Sequence, residues 1–272
     1  MKLSISVAAS PSSMAHIMFS GALDRTLALL ASLGYDGVDL FFPTPREVDA
    51  SEVKKLLDLN GLQATMLASQ GDLMADGLYL NEPSRLRELL ERSKYHLEQC
   101  ALLGAMPNVG FLRGAHKGRA ESIRNMAEGL AAYCELAASM GVGVLLEPIC
   151  RYEIDSIPTA GDALALWGMA GRPDNLFLLL DLFHMNIEER SMSGAILASR
   201  GRIGHVHFVE NTRSMPGLGC QNFGEVLGCL RNAGYDGFLG FEAISRGHPE
   251  QEAENAVAYV RALLNGFNIT AL

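Results

Sequence analysis

Cysteine is sparse in this chain of 272 residues, and its spacing suits neither disulfides nor a thiolate metal site. The five cysteines are odd in number, and no two of them form a C-x-x-C pair. Disulfide frameworks use even numbers of cysteines, and structural zinc sites use C-x-x-C pairs, so both are disfavoured. We therefore expect a reduced cytoplasmic protein with small buried thiols. The cysteines are Cys100, Cys134, Cys150, Cys220 and Cys229.

Basic residues and long apolar runs are also scarce, and each scarcity argues against one class of partner. The formal net charge is -9, lysine is rare, and the arginines are scattered along the chain. Binding of nucleic acid depends on clustered Lys and Arg, so nucleic acid is not an expected partner. No uncharged apolar run reaches the roughly 18 residues that a membrane helix needs. The apolar stretch in MKLSISVAAS (1–10) is short for a signal peptide, and a first strand explains it more simply.

Linkers and low-complexity segments are absent too, and short apolar runs alternate with amphipathic stretches throughout. Eight strand–helix units predict a single (β/α)8 TIM barrel domain over 1–272, because eight parallel strands close such a barrel. An open doubly wound sheet is the competitor, but no G-x-G-x-x-G follows the first strand. The predicted strands are 2–9, 37–42, 62–69, 107–112, 143–149, 176–183, 203–209 and 238–244. The predicted helices are 22–33, 51–59, 84–103, 119–140, 160–170, 193–200, 221–233 and 250–265.

Four polar side chains stand near the ends of four apolar runs in the second half of the chain. They are Glu147, Asp181, His207 and Glu242. Side chains alternate along a strand, so we expect all four to point into the barrel at one level near its C-terminal mouth. Three carboxylates and one imidazole offer mostly oxygen ligands, which suit a hard metal ion. A bound divalent cation would compensate the cost of burying these charges. We expect Mn²⁺, with Mg²⁺ or Co²⁺ as alternatives, and His205 one layer below as a hydrogen-bonded core residue.

Four segments around these residues carry a further pattern, namely EPICRYE (147–153), LLDLFHMNIEE (179–189), HVHFVENTR (205–213) and GYDGFLGFE (234–242). They resemble the xylose isomerase-like TIM barrels, and among these the ketose 3-epimerases, which include the D-tagatose, D-allulose and 5-keto-L-gluconate epimerases. The resemblance spans nearly the whole chain. It implies metal ligation by Glu147, Asp181, His207 and Glu242, acid/base catalysis by Glu147 and Glu242, and substrate contacts from Glu153, His184 and Arg213.

The implied reaction inverts C3 of a ketose or keto-sugar acid through an enediolate. Removing a proton beside a ketone develops negative charge, which a bound cation stabilises. Inversion then needs one base on each face of the flat intermediate, and Glu147 and Glu242 lie on strands that face each other across the mouth. Arg213 and His184 would hold or polarise the carbonyl end. Glu153 would orient Glu147 or a substrate hydroxyl.

The sequence leaves several alternatives open. VGFLRG (109–114) ends the fourth predicted strand, and its Arg113 would either bind a substrate carboxylate or pair with a neighbouring loop acid. The same metal and glutamates would also serve an aldose–ketose isomerase of the hydroxypyruvate-isomerase type, or a sugar or cyclitol dehydratase. A DNA-cleaving barrel would need further histidines after strands three and four, and a non-catalytic sugar-binding barrel would have lost a ligand. We expect a homodimer or homotetramer that acts on a small sugar.

Overall fold

The computed structural model describes residues 1–10, 15–47 and 49–269. Nine strands and ten α-helices lie within these ranges, together with 3-10 helices at Pro83–Arg85 and Phe111–Arg113. The strands are β1 (Lys2–Ala8), β2 (Phe19–Ser20), β3 (Gly37–Phe41), β4 (Gln63–Ala68), β5 (Met106–Pro107), β6 (Val144–Leu146), β7 (Leu176–Asp181), β8 (Ile203–His207) and β9 (Phe238–Phe241). The helices are α1 (Leu23–Ser32), α2 (Ala50–Asn60), α3 (Gly71–Ala75), α4 (Leu86–Leu103), α5 (Ala120–Ser139), α6 (Ala160–Met169), α7 (Leu182–Glu188), α8 (Met192–Ala198), α9 (Phe223–Asn232) and α10 (Pro249–Ile269). None of the described helices is long and apolar enough to cross a membrane.

Eight of the strands form one parallel sheet that curls into a barrel. Their order is β5-β4-β3-β1-β9-β8-β7-β6, and every neighbouring pair is parallel. The two ends of this order meet where Asn108, just after β5, forms a parallel bridge with Leu145 of β6. There the backbone N–H of Val109 donates to the carbonyl of Leu145 over 2.8 Å. The predicted TIM barrel fold is therefore confirmed.

Apolar side chains pack in two places. The larger core lies between the barrel strands and the surrounding helices, and it includes Leu40, Leu146 and Leu180. A smaller cluster fills the barrel itself and contains Phe41, Met66, Leu145, Leu179 and others. Leu145 and Leu179 each lie two residues before an acidic side chain, so the alternation of the strand carries these acids to the next level towards the mouth.

Side-chain caps set several helix boundaries. The carboxylate of Asp49 accepts a hydrogen bond from the backbone N–H of Ser51 over 2.8 Å and starts α2. Gly61 ends the same helix with φ of 66°, a left-handed conformation that glycine adopts without steric cost. Thr159 and Asp162 form a reciprocal capping box at the start of α6. These local signals explain why most predicted helices match the structure to within two residues.

Several predicted strands end early: those expected over 143–149 and 238–244 end at Leu146 and Phe241, and two others have a clear local cause. The fourth strand was expected over 107–112 but ends at Pro107, because the side-chain oxygen of Asn108 accepts the N–H of Gly110 over 2.9 Å and turns the chain. The strand expected over 176–183 ends at Asp181, whose carboxylate accepts the N–H of Phe183 and starts α7. His184 consequently lies on a helix, and α3 and α7 were not foreseen.

Candidate metal and active site

Four polar side chains converge at the C-terminal mouth of the barrel. Asp181 and His207 are the last residues of β7 and β8, while Glu147 and Glu242 directly follow β6 and β9. All four are buried. The His207 Nδ1 atom lies 3.6 Å from Asp181 Oδ2, 3.6 Å from Glu242 Oε2 and 3.9 Å from Glu147 Oε1. The structure thus brings together all four residues that the sequence predicts as metal ligands.

The donor atoms of this cluster fit a divalent cation. One ligand atom each from Glu147, Asp181 and His207 lies within 4.8 Å of the others. The Nδ1 atom of His207 and the Oδ2 atom of Asp181 are buried and have no hydrogen-bond partner among the described residues. Unpaired buried polar atoms are costly, and a shared cation would compensate both. An oxygen-rich set with one imidazole suits Mn²⁺ or Mg²⁺.

Burial and mutual charge shift the pKa values in the cluster strongly. Burial is the main cause that raises the pKa of Glu147. Burial acts in the same direction on Asp181, but His184 and His207 outweigh it and hold the pKa of Asp181 well below its usual range. Burial alone would lower the pKa of His207, yet Glu242 and Asp181 raise it to about 10. The carboxylates therefore favour a positive charge at the centre of the cluster.

The two carboxylate oxygens of Asp181 have different roles: one caps a helix, and the other faces the cluster. Its Oδ1 atom accepts the N–H of Phe183 over 2.8 Å and caps α7, while Oδ2 faces His207. The cap also fixes the first turn of α7, which carries His184. The Nε2 atom of His184 lies 3.8 Å from both Glu147 Oε1 and Asp181 Oδ2. His184 is thereby placed at the edge of the cluster, as the sequence interpretation requires.

Arg213 connects two of the predicted site residues. Its guanidinium donates to Glu242 Oε2, and also to Glu153 Oε1 over 3.0 Å. The backbone of Arg213 is left-handed with φ of 56°, and its N–H donates to the carbonyl of Glu210 over 2.8 Å. Such a conformation costs on the order of 1 kcal/mol in a residue with a side chain, so the loop after β8 must hold it in place. Glu242 is therefore oriented by a charge-assisted hydrogen bond.

Arg113 does not occupy the position that the sequence interpretation gave it. Its side chain is fully buried, and its guanidinium donates to the carbonyls of Gly110, Glu147 and Ser156 and to the hydroxyl of Ser156. It is not among the residues that line the cavity next to Glu147 and Glu242, which is described below. Its hydrogen-bond partners among the described residues include no loop acid, and its burial keeps it away from a substrate carboxylate in the cavity, because the early end of β5 turns it inwards. Arg113 supports the backbone at Glu147 instead.

Three polar residues near the cluster were missed from the sequence. The amide of Asn108 donates to Glu147 Oε2 over 2.6 Å. His16 places its Nε2 atom 3.9 Å from Glu242 Oε1, and burial lowers the pKa of this imidazole. Asn108 stood inside a predicted strand, and His16 in an irregular segment, so neither carried a motif. The third residue is Asp39, at the level below.

A second polar layer supports the cluster from inside the barrel. Asp39 of β3 is fully buried, and its carboxylate accepts from Ser4 over 3.2 Å and from Thr65. The Nε2 atom of His205 lies 3.1 Å from Asp39 Oδ1, and that of His207 lies 3.8 Å from Oδ2. Burial opposes ionisation, but the two histidines and Thr65 lower the pKa of Asp39 to about 2. His205 thus lies one layer below His207, beside Asp39.

Two residues of the cluster, Glu147 and Glu242, line a cavity of about 210 Å³. Its polar side is made by Glu147, Glu153, His184, Arg213 and Glu242. Its apolar lining includes Phe41, Phe42, Met74, Phe111 and Ile149. A cavity with convergent polar groups on one side and apolar walls on the other is typical of a small-molecule site.

Comparison with known proteins places the chain in a family. The model of the xylose isomerase-like TIM barrel family matches residues 27–263, so the chain belongs to that family. The L-ribulose 3-epimerase of Methylomonas sp. strain DH-1 is 31% identical over 245 residues, which cover 88% of this chain and 84% of the relative. The L-ribulose 3-epimerase of Mesorhizobium japonicum is 33% identical over 82% of this chain and 76% of the relative.

A solved structure agrees with this assignment at the level of the fold. The D-psicose 3-epimerase of Clostridium cellulolyticum H10, determined with D-tagatose, superposes with a TM-score of 0.81. The alignment covers 97% of this chain and 99% of that one, at 22% identity. The resemblance to ketose 3-epimerases and the prediction of an isomerase of the carbohydrate epimerase class are confirmed by these relatives.

Proposed function

We propose that the protein is a metal-dependent ketose 3-epimerase that inverts C3 through an enediolate. The observation that carries this proposal is the placement of Glu147 and Glu242 at the two ends of the arc β6-β7-β8-β9, lining one cavity with His207 between them. Two bases on opposite sides of one cavity are what inversion of a carbon acid requires. The names of the curated relatives support the same reaction.

The atoms that would carry the proton follow from the contacts of the two glutamates. Glu147 directs Oε1 towards His207 and His184, whereas Asn108 holds Oε2. Glu242 directs Oε2 towards His207 and Arg213, which leaves Oε1 on the side of His16. We assign Glu147 Oε2 and Glu242 Oε1 as the atoms that exchange protons with C3: one removes the C3 proton, and the other delivers a different proton to the opposite face. The burial that raises the pKa of Glu147 suits a group that must also act as an acid.

Other residues would hold the substrate and stabilise its developing charge. Mn²⁺, or Mg²⁺ or Co²⁺ in its place, would be held by Glu147, Asp181, His207 and Glu242 and would act as a Lewis acid on the substrate oxygens. The imidazole of His184 and the guanidinium of Arg213 would donate hydrogen bonds to the carbonyl end. Glu153, bonded to Arg213 over 3.0 Å, would orient that guanidinium and accept from a hydroxyl.

The charges that line the cavity favour an uncharged ketose. Among its described lining residues, Arg213 is the one permanent cation, and it is already paired with Glu153 and Glu242. A phosphate or a sugar carboxylate would need a further cation, and the buried Arg113 does not supply it. We therefore propose an uncharged ketose as substrate, in place of the keto-sugar acid that the sequence left open.

The compartment is part of the same proposal. All five cysteines are free, and Cys100, Cys134 and Cys150 are buried. Free thiols are typical of proteins from reducing compartments. We propose that residues 1–272 act as one barrel domain in the cytoplasm.

Isotope exchange tests the proposed reaction and separates it from the alternatives. The protein, loaded with Mn²⁺ or stripped with EDTA, is incubated in D₂O with L-ribulose, D-fructose and D-tagatose and followed by NMR. We expect deuterium at C3 together with the C3 epimer, only in the metal-loaded sample. Deuterium beside a new aldehyde would indicate the isomerase, and loss of a hydroxyl the dehydratase. No exchange in any of these ketoses would contradict the proposal.

Glu147→Gln and Glu242→Gln extend this experiment to the assigned bases. Each variant removes a proton acceptor, and general base catalysis contributes about 10²–10⁴-fold. We expect losses of that size in kcat/KM from either change. A variant that keeps full epimerase activity would refute the two-base assignment, since one glutamate would then be dispensable.

A further inference from the structure

A second cavity adjoins the one above the metal cluster. It measures about 430 Å³ and shares Met74, Phe111 and Glu153 with its neighbour. The reaction cavity alone, at about 210 Å³, is smaller than the ligand pockets of about 300–1,000 Å³ that are usual in proteins. A ligand that passes Phe111 would therefore find space for a second group beyond the reacting sugar.

The loop that contains Ala115 and Lys117 borders the second cavity, and hydrogen bonds from side chains hold it in place. The amide of Asn81 donates to the carbonyl of Ala115 and to the hydroxyl of Ser122, each over 2.8 Å. The carboxylate of Asp155 accepts the backbone N–H groups of His116 and Lys117 over 2.6 and 2.8 Å. These hydrogen bonds fix the outer wall before any ligand arrives, and a preformed wall lowers the entropic cost of binding.

The chemistry of the second cavity suits a neutral polyhydroxyl group. Its lining carries two cations, Lys117 and Arg119, and two carboxylates, Glu82 and Glu153; Arg119 lies 3.3 Å from Glu82, and Glu153 is hydrogen-bonded to Arg213. An anion such as phosphate would gain little from a balanced set of charges. Sugar hydroxyls, in contrast, both donate and accept, so they can use charges of either sign.

An exposed aromatic ring stands where the two cavities join. Phe111 is 43% exposed, although it lies on a turn between buried residues. Aromatic rings provide a large apolar surface, which the C–H face of a sugar ring covers well. Glu153 lies at the same junction, and its Oε1 atom is already bonded to Arg213. The junction is therefore built to hold a chain of sugar atoms that extends from one cavity to the other.

We propose that the second cavity is a subsite for a second sugar unit, attached to the far end of the reacting ketose. The inference rests on the proposed epimerase function, and it makes glycosylated ketoses the preferred substrate class. The ketose end would lie above Glu147 and Glu242, and the glycosyl end against Phe111, Lys117 and the Glu82–Arg119 pair.

Matched substrates test the subsite. The metal-loaded enzyme is assayed in D₂O with D-fructose, 4-O-glucosyl-D-fructose and 6-O-glucosyl-D-fructose, and loss of the C3 proton is followed by NMR. We expect kcat/KM for at least one glucosyl ketose to exceed that for D-fructose by tenfold or more. Exchange in a free ketose, with no such gain for either glucosyl ketose, overturns the subsite and leaves the epimerase standing. No exchange in any ketose, free or glucosylated, overturns both proposals.

Two variants address the cavity itself. Ala115→Trp fills it, and Lys117→Ala removes one of its cations. We expect the ratio of kcat/KM for the glucosyl ketose to that for D-fructose to fall at least fivefold in each variant, while Lys55→Ala on the exposed face of α2 keeps the ratio. Activity towards D-fructose reports that each variant is folded. An unchanged ratio in both cavity variants overturns the proposal.

Discussion

Glu147 is held from two sides by residues of one short turn. Asn108 fixes its Oε2 atom, and Arg113 donates to its backbone carbonyl over 2.8 Å. Both residues lie in the segment where β5 gives way to a 3-10 helix. A base must lie within hydrogen-bond reach of the proton that it takes, and this turn determines the orientation of a candidate base. Asn108 is therefore a positioning residue.

Asn108→Ala is expected to lower kcat/KM about 10- to 100-fold, because a hydrogen bond to a charged group contributes about 1.5–3 kcal/mol. A second readout follows from the two-base mechanism. With C3-deuterated substrate, the isotope effect on kcat/KM should rise in the direction in which Glu147 removes the deuteron. It should fall in the reverse direction, where Glu147 only delivers a proton from solvent.

The matched control for this experiment is Asn186→Ala, which removes an exposed amide hydrogen bond to Gln221. The control should leave both isotope effects as they are. An isotope effect that changes in the same sense in both directions would show that Asn108 supports the fold without positioning Glu147.

The ends of strands, more than their middles, determine this site. β7 ends because Asp181 caps α7, and β5 ends because Asn108 turns the chain.

Within β9 the decisive residue is Gly240, where a Cβ atom would lie 2.5 Å from Asp39 Oδ2 and 2.7 Å from His205 Nε2. The layer of Asp39 and His205 below the cluster therefore exists only because β9 has no side chain at that position.

Gly240→Ala should destabilise the protein by about 1–3 kcal/mol, the usual cost of overpacking a core. The matched control is Gly168→Ala in α6, where the added Cβ atom meets nothing within 4 Å. That change should stabilise the protein by a few tenths to about 1 kcal/mol, because alanine loses less conformational freedom in a helix. Urea denaturation of the two variants gives both values. If Gly240→Ala left the free energy of unfolding unchanged, Asp39 and His205 would be able to move apart freely.

A buried histidine outside the metal cluster links the stability of the whole barrel to pH. His96 on α4 is fully buried, and its Nε2 atom lies 3.2 Å from the carbonyl of Leu67 in β4. Burial lowers the pKa of His96 to about 4. Between about pH 6.5 and pH 4 the unfolded chain therefore binds a proton that the folded chain does not, and acid favours unfolding.

We expect the free energy of unfolding to fall as the pH is lowered from 6.5 to 4, with His96 contributing roughly 3 kcal/mol over the full interval. His96→Gln should remove that part of the slope, and the exposed His248→Gln is the matched control. Urea titrations at a series of pH values measure the slope. If the free energy of unfolding fell equally steeply with pH in wild type and in His96→Gln, His96 would not be the source of this part of the slope.

The sequence was sufficient for the alternating strands and helices, the eight-stranded barrel and the family. Apolar periodicity and helix caps act over a few residues, so they can be read along the chain. The positions of Glu147, Asp181, His207 and Glu242 followed from the same local signals, because parallel strands of a barrel all end at one mouth. The resemblance to ketose 3-epimerases rested on the sequence segments around these four residues, and the relatives confirm it.

The tertiary structure alone decided which side chains support those four. Asn108 is 39 residues from Glu147, and His205 meets Asp39 from the opposite half of the barrel. Arg113 is turned inwards because three carbonyls and a hydroxyl satisfy its donors there. No periodicity encodes such contacts, because they depend on where the folded chain brings distant donors and acceptors within hydrogen-bonding distance of one another.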